Sequence, residues 1–284
     1  MKLHETIRFI RESSALSQEE FAEKIGVARL AVTRWENEKA IPARIAQTKI
    51  YEFAKEKGIS VYDFMTNDLP ESKIENNVIT LYHGSRAGIE GDIKPVSRSH
   101  CDFGKGFYMG TQIQQPLTLI CTHPRSLLYI VEFDLINLKV FHVPDNIDWA
   151  MLVAYSRGKL ERCKGTALYE KNRKMLTEFD VVVGRIANDR MFFILDRFFE
   201  GAITDKGLVE SLSALQLGLQ YVALTERACK HITITRAVKL SELERLCLSD
   251  LSTHNRKIGI ETADGICRSY RREGRFFDEI LEGK

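Results

Sequence analysis

The sequence predicts two folded units in series, a small all-α unit over residues 1–66 and a larger α+β unit over residues 78–240. A polar linker at 67–77 joins them, and a helical extension occupies 241–284. Three observations predict this. The length of 284 residues, at roughly 150 residues per domain, allows about two domains. Apolar residues up to Met65 recur at helical spacing. From Val78 onward, short β-branched and aromatic runs mix with helical ones, without the regular β-α-β alternation of a parallel sheet.

Composition narrows the function classes. A chain that is 44% hydrophobic and 28% charged is an ordinary globular one, which excludes disorder on the scale of a domain. A net charge of +2 carries no global polyanion signature, so any nucleic-acid contact must come from a local patch. The six cysteines are widely spread, with no CxxC and no cysteine–histidine ligand spacing. They read as reduced thiols in a protein without a metal site. The start, Met-Lys-Leu-His-Glu-Thr, is charged where a signal peptide needs an apolar core. No apolar run reaches the roughly 18 residues that span a bilayer. The expected location is the cytoplasm, with no membrane association.

In the first unit, Leu3, Ile7, Ile10 and Arg11 give a helix ending near Ser14. Ser17 followed three residues later by Glu20 is a capping box that opens a second helix burying Phe21, Ala22 and Ile25. Gly26 ends it. A third helix from Ala28 to Asn37 is expected to bury Leu30 or Ala31 together with Trp35. Ile45, Ile50, Phe53 and Ala54 mark a fourth helix, and Val61, Tyr62, Phe64 and Met65 a short fifth. Helix, glycine turn, helix is the helix-turn-helix arrangement.

Leu16-Ser17-Gln18-Glu19-Glu20-Phe21-Ala22, then Val32 to Asn37, then Ile41-Pro42, resembles the Xre (Cro/repressor-type) helix-turn-helix family. The resemblance implies that the third helix enters a DNA major groove, with Ala28, Arg29, Val32, Thr33 and Arg34 outward, and that Gln18 takes the backbone-contacting position. Arginine and threonine suit phosphates and base edges. One copy per chain implies a homodimer on a DNA operator. A protein partner is the other use of such a module.

In the second unit, Val78 to His83 is β-rich and ends in Gly84-Ser85, which sets His83 near a strand end. Asp102-Phe103-Gly104-Lys105-Gly106-Phe107-Tyr108 follows, its glycines permitting close backbone approach. Helices are expected at 112–122, 147–160, 190–199 and 208–215, and strands at 129–133, 179–183, 219–224 and 232–234. The Gly-x-Gly pair alone is neither a Rossmann fingerprint nor a Walker loop.

His-Gly-Ser and Phe-Gly-Lys-Gly-Phe-Tyr, taken together and in this order, resemble the ADP-ribosyltransferase fold of the diphtheria-toxin and poly-ADP-ribose polymerase branch. Asp180 to Asp189 and Leu219-Gln220-Tyr221 extend the likeness. The whole therefore reads as an all-α helix-turn-helix domain followed by an α+β ADP-ribosyltransferase-like domain. The resemblance implies NAD as substrate and no metal. His83 would hold the ribose, the Gly84 backbone would grip the nicotinamide amide, and Tyr108 would stack on the nicotinamide ring, with Ser85 and Gly106 in the same pocket. Cleaving the nicotinamide–ribose bond passes through an oxocarbenium-like state, which calls for a flat face under the leaving ring and a fixed ribose. The family's third position is usually glutamate, and its match here is Gln220, which keeps hydrogen bonding but loses the charge. Either Gln220 suffices, or Glu226, Asp189 or Asp102 assists, or the domain binds NAD without turning it over.

The tail is expected to be helical at 241–247 and again at 266–281, where arginines line a solvated face. By analogy of context, a helix-turn-helix fused to such an enzyme implies a toxin–antitoxin or phage-defence component that modifies a macromolecular acceptor, with an antitoxin as partner.

Overall fold

The computed structural model describes the backbone of residues 2–186, 189–215 and 218–283, with side chains for all of these except 189–192. The first unit comprises α1 (Leu3–Ser13), α2 (Gln18–Ile25), α3 (Arg29–Glu36), α4 (Arg44–Glu56) and α5 (Val61–Thr66). The capping box forms as the sequence implies. Glu20 N donates to Ser17 Oγ at 3.2 Å, and Ser17 N donates to the Glu20 carboxylate at 2.8 Å. Gly26 closes α2 at φ +68°. Ile7, Ile10, Phe21, Val32 and Ile50 form the core, with Phe21 edge-on to Phe53 at 5.3 Å. Beneath α3, buried Glu36 accepts from Arg11 through both carboxylate oxygens, at 2.6 and 3.0 Å, and from Gln18 Nε2 at 2.8 Å.

Two expectations for α3 are corrected. Val32, expected outward, is fully buried, and Leu30, one of the two residues expected inside, is 67% exposed. The inward stripe runs through Val32, Trp35 and Glu36, the i, i+3, i+4 set of one helix face, which leaves Ala28, Arg29, Leu30 and Arg34 outside.

In the second unit the described residues form eight strands. They are β1 (Ile74–Glu75), β2 (Val78–Ser85), β3 (Phe107–Gly110), β4 (Leu127–Asp134), β5 (Val140–His142), β6 (Val181–Arg185), β7 (Leu219–Ala223) and β8 (Ile232–Lys239). They join in the order β5-β6-β7-β3-β2-β4-β8, with β1 paired to β2. All described pairings are antiparallel except β5 with β6. The helices are α6 (Gln114–Ile120), α7 (Ile147–Ser156), α8 (Ala167–Thr177), α9 (Asp189–Phe199), α10 (Asp205–Ala214), α11 (Glu226–Cys229), α12 (Glu242–Ser269) and α13 (Phe277–Leu281).

Strand alternation sorts the core. Val182 and Val222 face Trp149, Leu152 and Phe198. Val181, Val183 and Tyr221 point the other way, toward Leu81, Val131 and Phe133. The short β1 and β5 and the polar helix α8 lack a pattern strong enough to be read from sequence. Among the described residues, no helix is long and apolar enough to cross a membrane.

The tail is also corrected. The expected pair of helices is one helix of 28 residues, α12, followed by a separate α13. At 1.5 Å per residue α12 runs about 42 Å. It touches three cores in turn: Leu243 and Cys247 join that of the first unit, Leu248 joins Tyr82, Leu117 and Leu128, and Ala263 and Cys267 join that of Trp149. Polar residues from Ser249 to Asn255 hide this periodicity in the sequence. Gly274, at φ +83°, lies in the turn before α13.

Candidate functional site

β2 pairs with β4 along its whole length, but with β3 only at Tyr82–Gly110. The two strands then splay, and a cleft of about 1240 Å³ opens between them. That exceeds the roughly 300–1,000 Å³ of a drug-sized site. His83, Gly84 and Ser85 line one side, Gly106 and Tyr108 the other, and Gln220 also lines the cleft. The six residues singled out in this domain by sequence thus meet in one place.

His83 stacks on Phe107 at a ring separation of 4.2 Å, and its Nδ1 lies 2.7 Å from the Tyr108 carbonyl oxygen. Burial lowers its pKa, opposed by the hydrogen bond to that carbonyl. The Tyr108 hydroxyl donates to the Gly104 carbonyl at 2.8 Å and accepts from Phe103 N at 3.0 Å. Burial pushes the phenol pKa well up, and the nearby Asp102 charge adds to this. The phenol is therefore a structural anchor for the 103–104 turn, and the ring is what Tyr108 offers a ligand.

The glycines have steric causes. A Cβ on Gly106 would stand 2.3 Å from Val222 Cγ1, and one on Gly84 would stand 2.9 Å from the Pro116 carbonyl oxygen on α6. Both let neighbouring elements close around the cleft. Ser85 is committed elsewhere: its hydroxyl donates to the Gly88 carbonyl at 2.9 Å and accepts from Gly88 N at 3.0 Å, which shapes the turn after β2.

Behind the cleft, Gln220 Nε2 donates to Asp102 Oδ2 at 3.1 Å and to the Arg185 carbonyl at 3.0 Å. Asp102 Oδ1 accepts from Arg157 at 2.7 Å. Both Gln220 and Asp102 are buried. Of the three acids the sequence offered, Asp102 lines the cleft, Glu226 is exposed at the start of α11, and the Asp189 side chain lies outside the described residues. The Arg185 side chain turns away to Asp145, at 2.6 Å. Gln114 and Gln115 line the cleft, whereas Lys105 is exposed and does not. Arg157 and the α12 residues Ser252, Asn255 and Arg256 also line it and were not legible in sequence. Arg157 stands outside any motif, and the three α12 residues sit in a polar stretch that nothing local marks as facing a site.

Residues 79–234, more than half of the chain, match the family described as "Protein of unknown function (DUF3990)". The chain belongs to the DUF3990 family. The DUF3990 match spans the sheet from β2 into β8 and contains the six cleft residues named above. A helix-turn-helix family matches residues 7–46, from α1 into α4, so a DNA-binding type of module precedes the DUF3990 domain. No curated protein and no solved structure matches the chain.

In the helix-turn-helix, Gln18 Oε1 accepts from Thr33 Oγ1 at 2.7 Å while its Nε2 serves Glu36. Gln18 thus braces α2 against α3. Ala28, Arg29 and Arg34 remain on the exposed side of α3.

Proposed function

We propose that the DUF3990 domain is a mono-ADP-ribosyltransferase that uses NAD as donor, and that the helix-turn-helix delivers it to, or regulates it at, DNA. One observation carries the reading: His83, Gly84 and Tyr108, matched to the NAD-binding residues of the resembled family, face each other across the split between β2 and β3. In the reaction the bond from the ribose anomeric carbon to nicotinamide breaks and its electrons neutralise the pyridinium. A nucleophile of the acceptor then bonds to that carbon and gives up its proton. The Tyr108 ring would lie against the nicotinamide, and His83 would hold a ribose hydroxyl. A component of a toxin–antitoxin or phage-defence system, acting on a macromolecule, fits this pairing of modules.

Purified protein should release nicotinamide from NAD, and His83→Ala or Tyr108→Ala should abolish the release. Label transfer from NAD into lysate would then name the acceptor polymer. NAD binding without nicotinamide release would sink the transferase reading.

A second reading is a transcriptional regulator whose domain senses NAD without chemistry. Two observations favour it. Gln220 supplies no charge to an oxocarbenium, and α12 runs from the cleft to the first unit. It requires operator affinity to shift with NAD.

A further inference from the structure

We propose that Asp102 is a positioning residue that fixes the Gln220 amide in one orientation, so that Gln220 Oε1 accepts a hydrogen bond from a hydroxyl of the bound ribosyl group. This rests on the NAD reading above. A side-chain amide has two N–H donors on one atom and an acceptor on the other. The group 3.1 Å away is the Asp102 carboxylate, itself paired with Arg157, and the group 3.0 Å away is the Arg185 carbonyl. Both are acceptors, so the amide nitrogen must face them, and chemistry alone settles which way the amide is turned. Both N–H groups are then used. Oε1 has no protein partner among the described residues, and Gln220 lines the cleft.

Gln220 therefore presents a single acceptor oxygen, as one oxygen of a glutamate would. The negative charge sits one hydrogen bond behind it on Asp102, held against Arg157. A glutamate at 220 would set two carboxylates against each other at this distance, where both cannot easily ionise. With an acid at position 102, a donor is required at position 220. The two positions are reciprocal in the bond they share, while the Arg185 carbonyl asks for a donor at position 220 in either arrangement.

Reciprocity gives the test. The full chain is compared with Asp102→Asn, Gln220→Glu and the double variant, reading the NAD dissociation constant by calorimetry, nicotinamide release and thermal midpoint. Each single variant should weaken NAD binding about tenfold, the worth of one hydrogen bond, and slow release by at least as much. The double variant, with amide and carboxylate exchanged, should bind NAD about threefold better than either single variant: the exchanged pair bonds again, while the Arg185 carbonyl stays without its donor. It should also gain an acidic limb in the pH profile of binding, near the ordinary glutamate pKa of about 4.3. A purely structural role could restore the thermal midpoint but not create that limb.

Gln220→Glu that folds and binds NAD as well as the parent overturns the proposal, as does a folded double variant no better than the singles. A parent that binds NAD without releasing nicotinamide overturns the transferase reading alone, and the dissociation constants still decide the role of Asp102. No NAD binding by the folded parent overturns both.

Discussion

His83 Nδ1 lies 2.7 Å from the main-chain oxygen of Tyr108, so the two residues the sequence sets 25 positions apart are joined across the mouth of the splayed strands. A carbonyl oxygen only accepts, so Nδ1 carries the proton. In the neutral ring this leaves Nε2 as a lone-pair acceptor. Burial, which lowers the His83 pKa below 6.5, favours that neutral form. The tautomer is thus set by the neighbouring strand, and it is the form able to accept from a ribose hydroxyl.

A pH dependence follows with a definite sign. Protonation gives Nε2 a hydrogen and removes the acceptor. NAD affinity should be flat from pH 8 to 6.5, then fall with acid by up to about tenfold per pH unit once the lowered pKa is passed. Stability moves in the same direction. Between the lowered pKa and 6.5 the unfolded chain holds the extra proton, so acidification through that window destabilises the fold. His83→Ala should abolish the acid limb of binding. Calorimetry across the pH range checks this, and a limb that survives in the variant would assign it to another group.

The cleft glycines should not tolerate a methyl group. Gly106→Ala drives a Cβ to 2.3 Å from Val222 Cγ1, and Gly84→Ala drives one to 2.9 Å from a main-chain oxygen of α6. Overpacking of this kind costs about 1–3 kcal/mol. Thermal melts should show both variants destabilised, Gly84→Ala more reliably because its obstacle is backbone. Gly91→Ala, with open space around it but φ +70°, is the control for strain without a clash.

On the helix-turn-helix, the corrected face of α3 separates contact from support. Arg29→Ala and Arg34→Ala should each weaken binding to duplexes selected from a random library and reduce the salt slope by about one. Val32→Ala should lower the thermal midpoint while leaving the salt slope unchanged, because Val32 is fully buried. Glu36→Ala should be the most damaging, since it leaves Arg11 without its bidentate partner, a loss of about 3–5 kcal/mol for a buried pair. Equal salt slopes for Arg29→Ala and the parent would remove that arginine from the DNA interface.

The sequence was legible where local signals repeat the tertiary answer. Ser17, Glu20 and Gly26 bound α2 because capping and the left-handed turn are local chemistry. His83, Gly84 and Tyr108 were legible because they sit in two compact motifs. Gln220 was placed by its position in a strand. Its partner Asp102 lies 118 residues away, and nothing local distinguishes that acid from Glu226. Val32 was misassigned because Leu30, Ala31 and Val32 are all apolar in a helix of eight residues, too short for periodicity to choose among them. The continuity of α12 was hidden for the opposite reason: where it spans between cores most of its residues are polar, and the few apolar ones, Leu251, Ile258 and Ile260, are too sparse to mark a helix face.

That continuity gives the last prediction. Four links tie α12 to α4: Arg44 with Glu242 at 3.0 Å, Leu243 N to Gln47 Oε1 at 3.1 Å, and Asp250 with Lys55 at 2.6 Å and Tyr51 at 2.9 Å. Leu243 itself is fully buried in the core of the first unit. The polar links at Asp250 are partly exposed, and such pairs contribute about 0–1 kcal/mol. Truncating a buried leucine costs about 2–5 kcal/mol. Asp250→Ala should therefore leave a single cooperative melt nearly unchanged. Leu243→Ala should split it, with the helix-turn-helix unfolding first and the sheet domain later. A single unshifted transition in Leu243→Ala would mean that α12 does not hold the two units together.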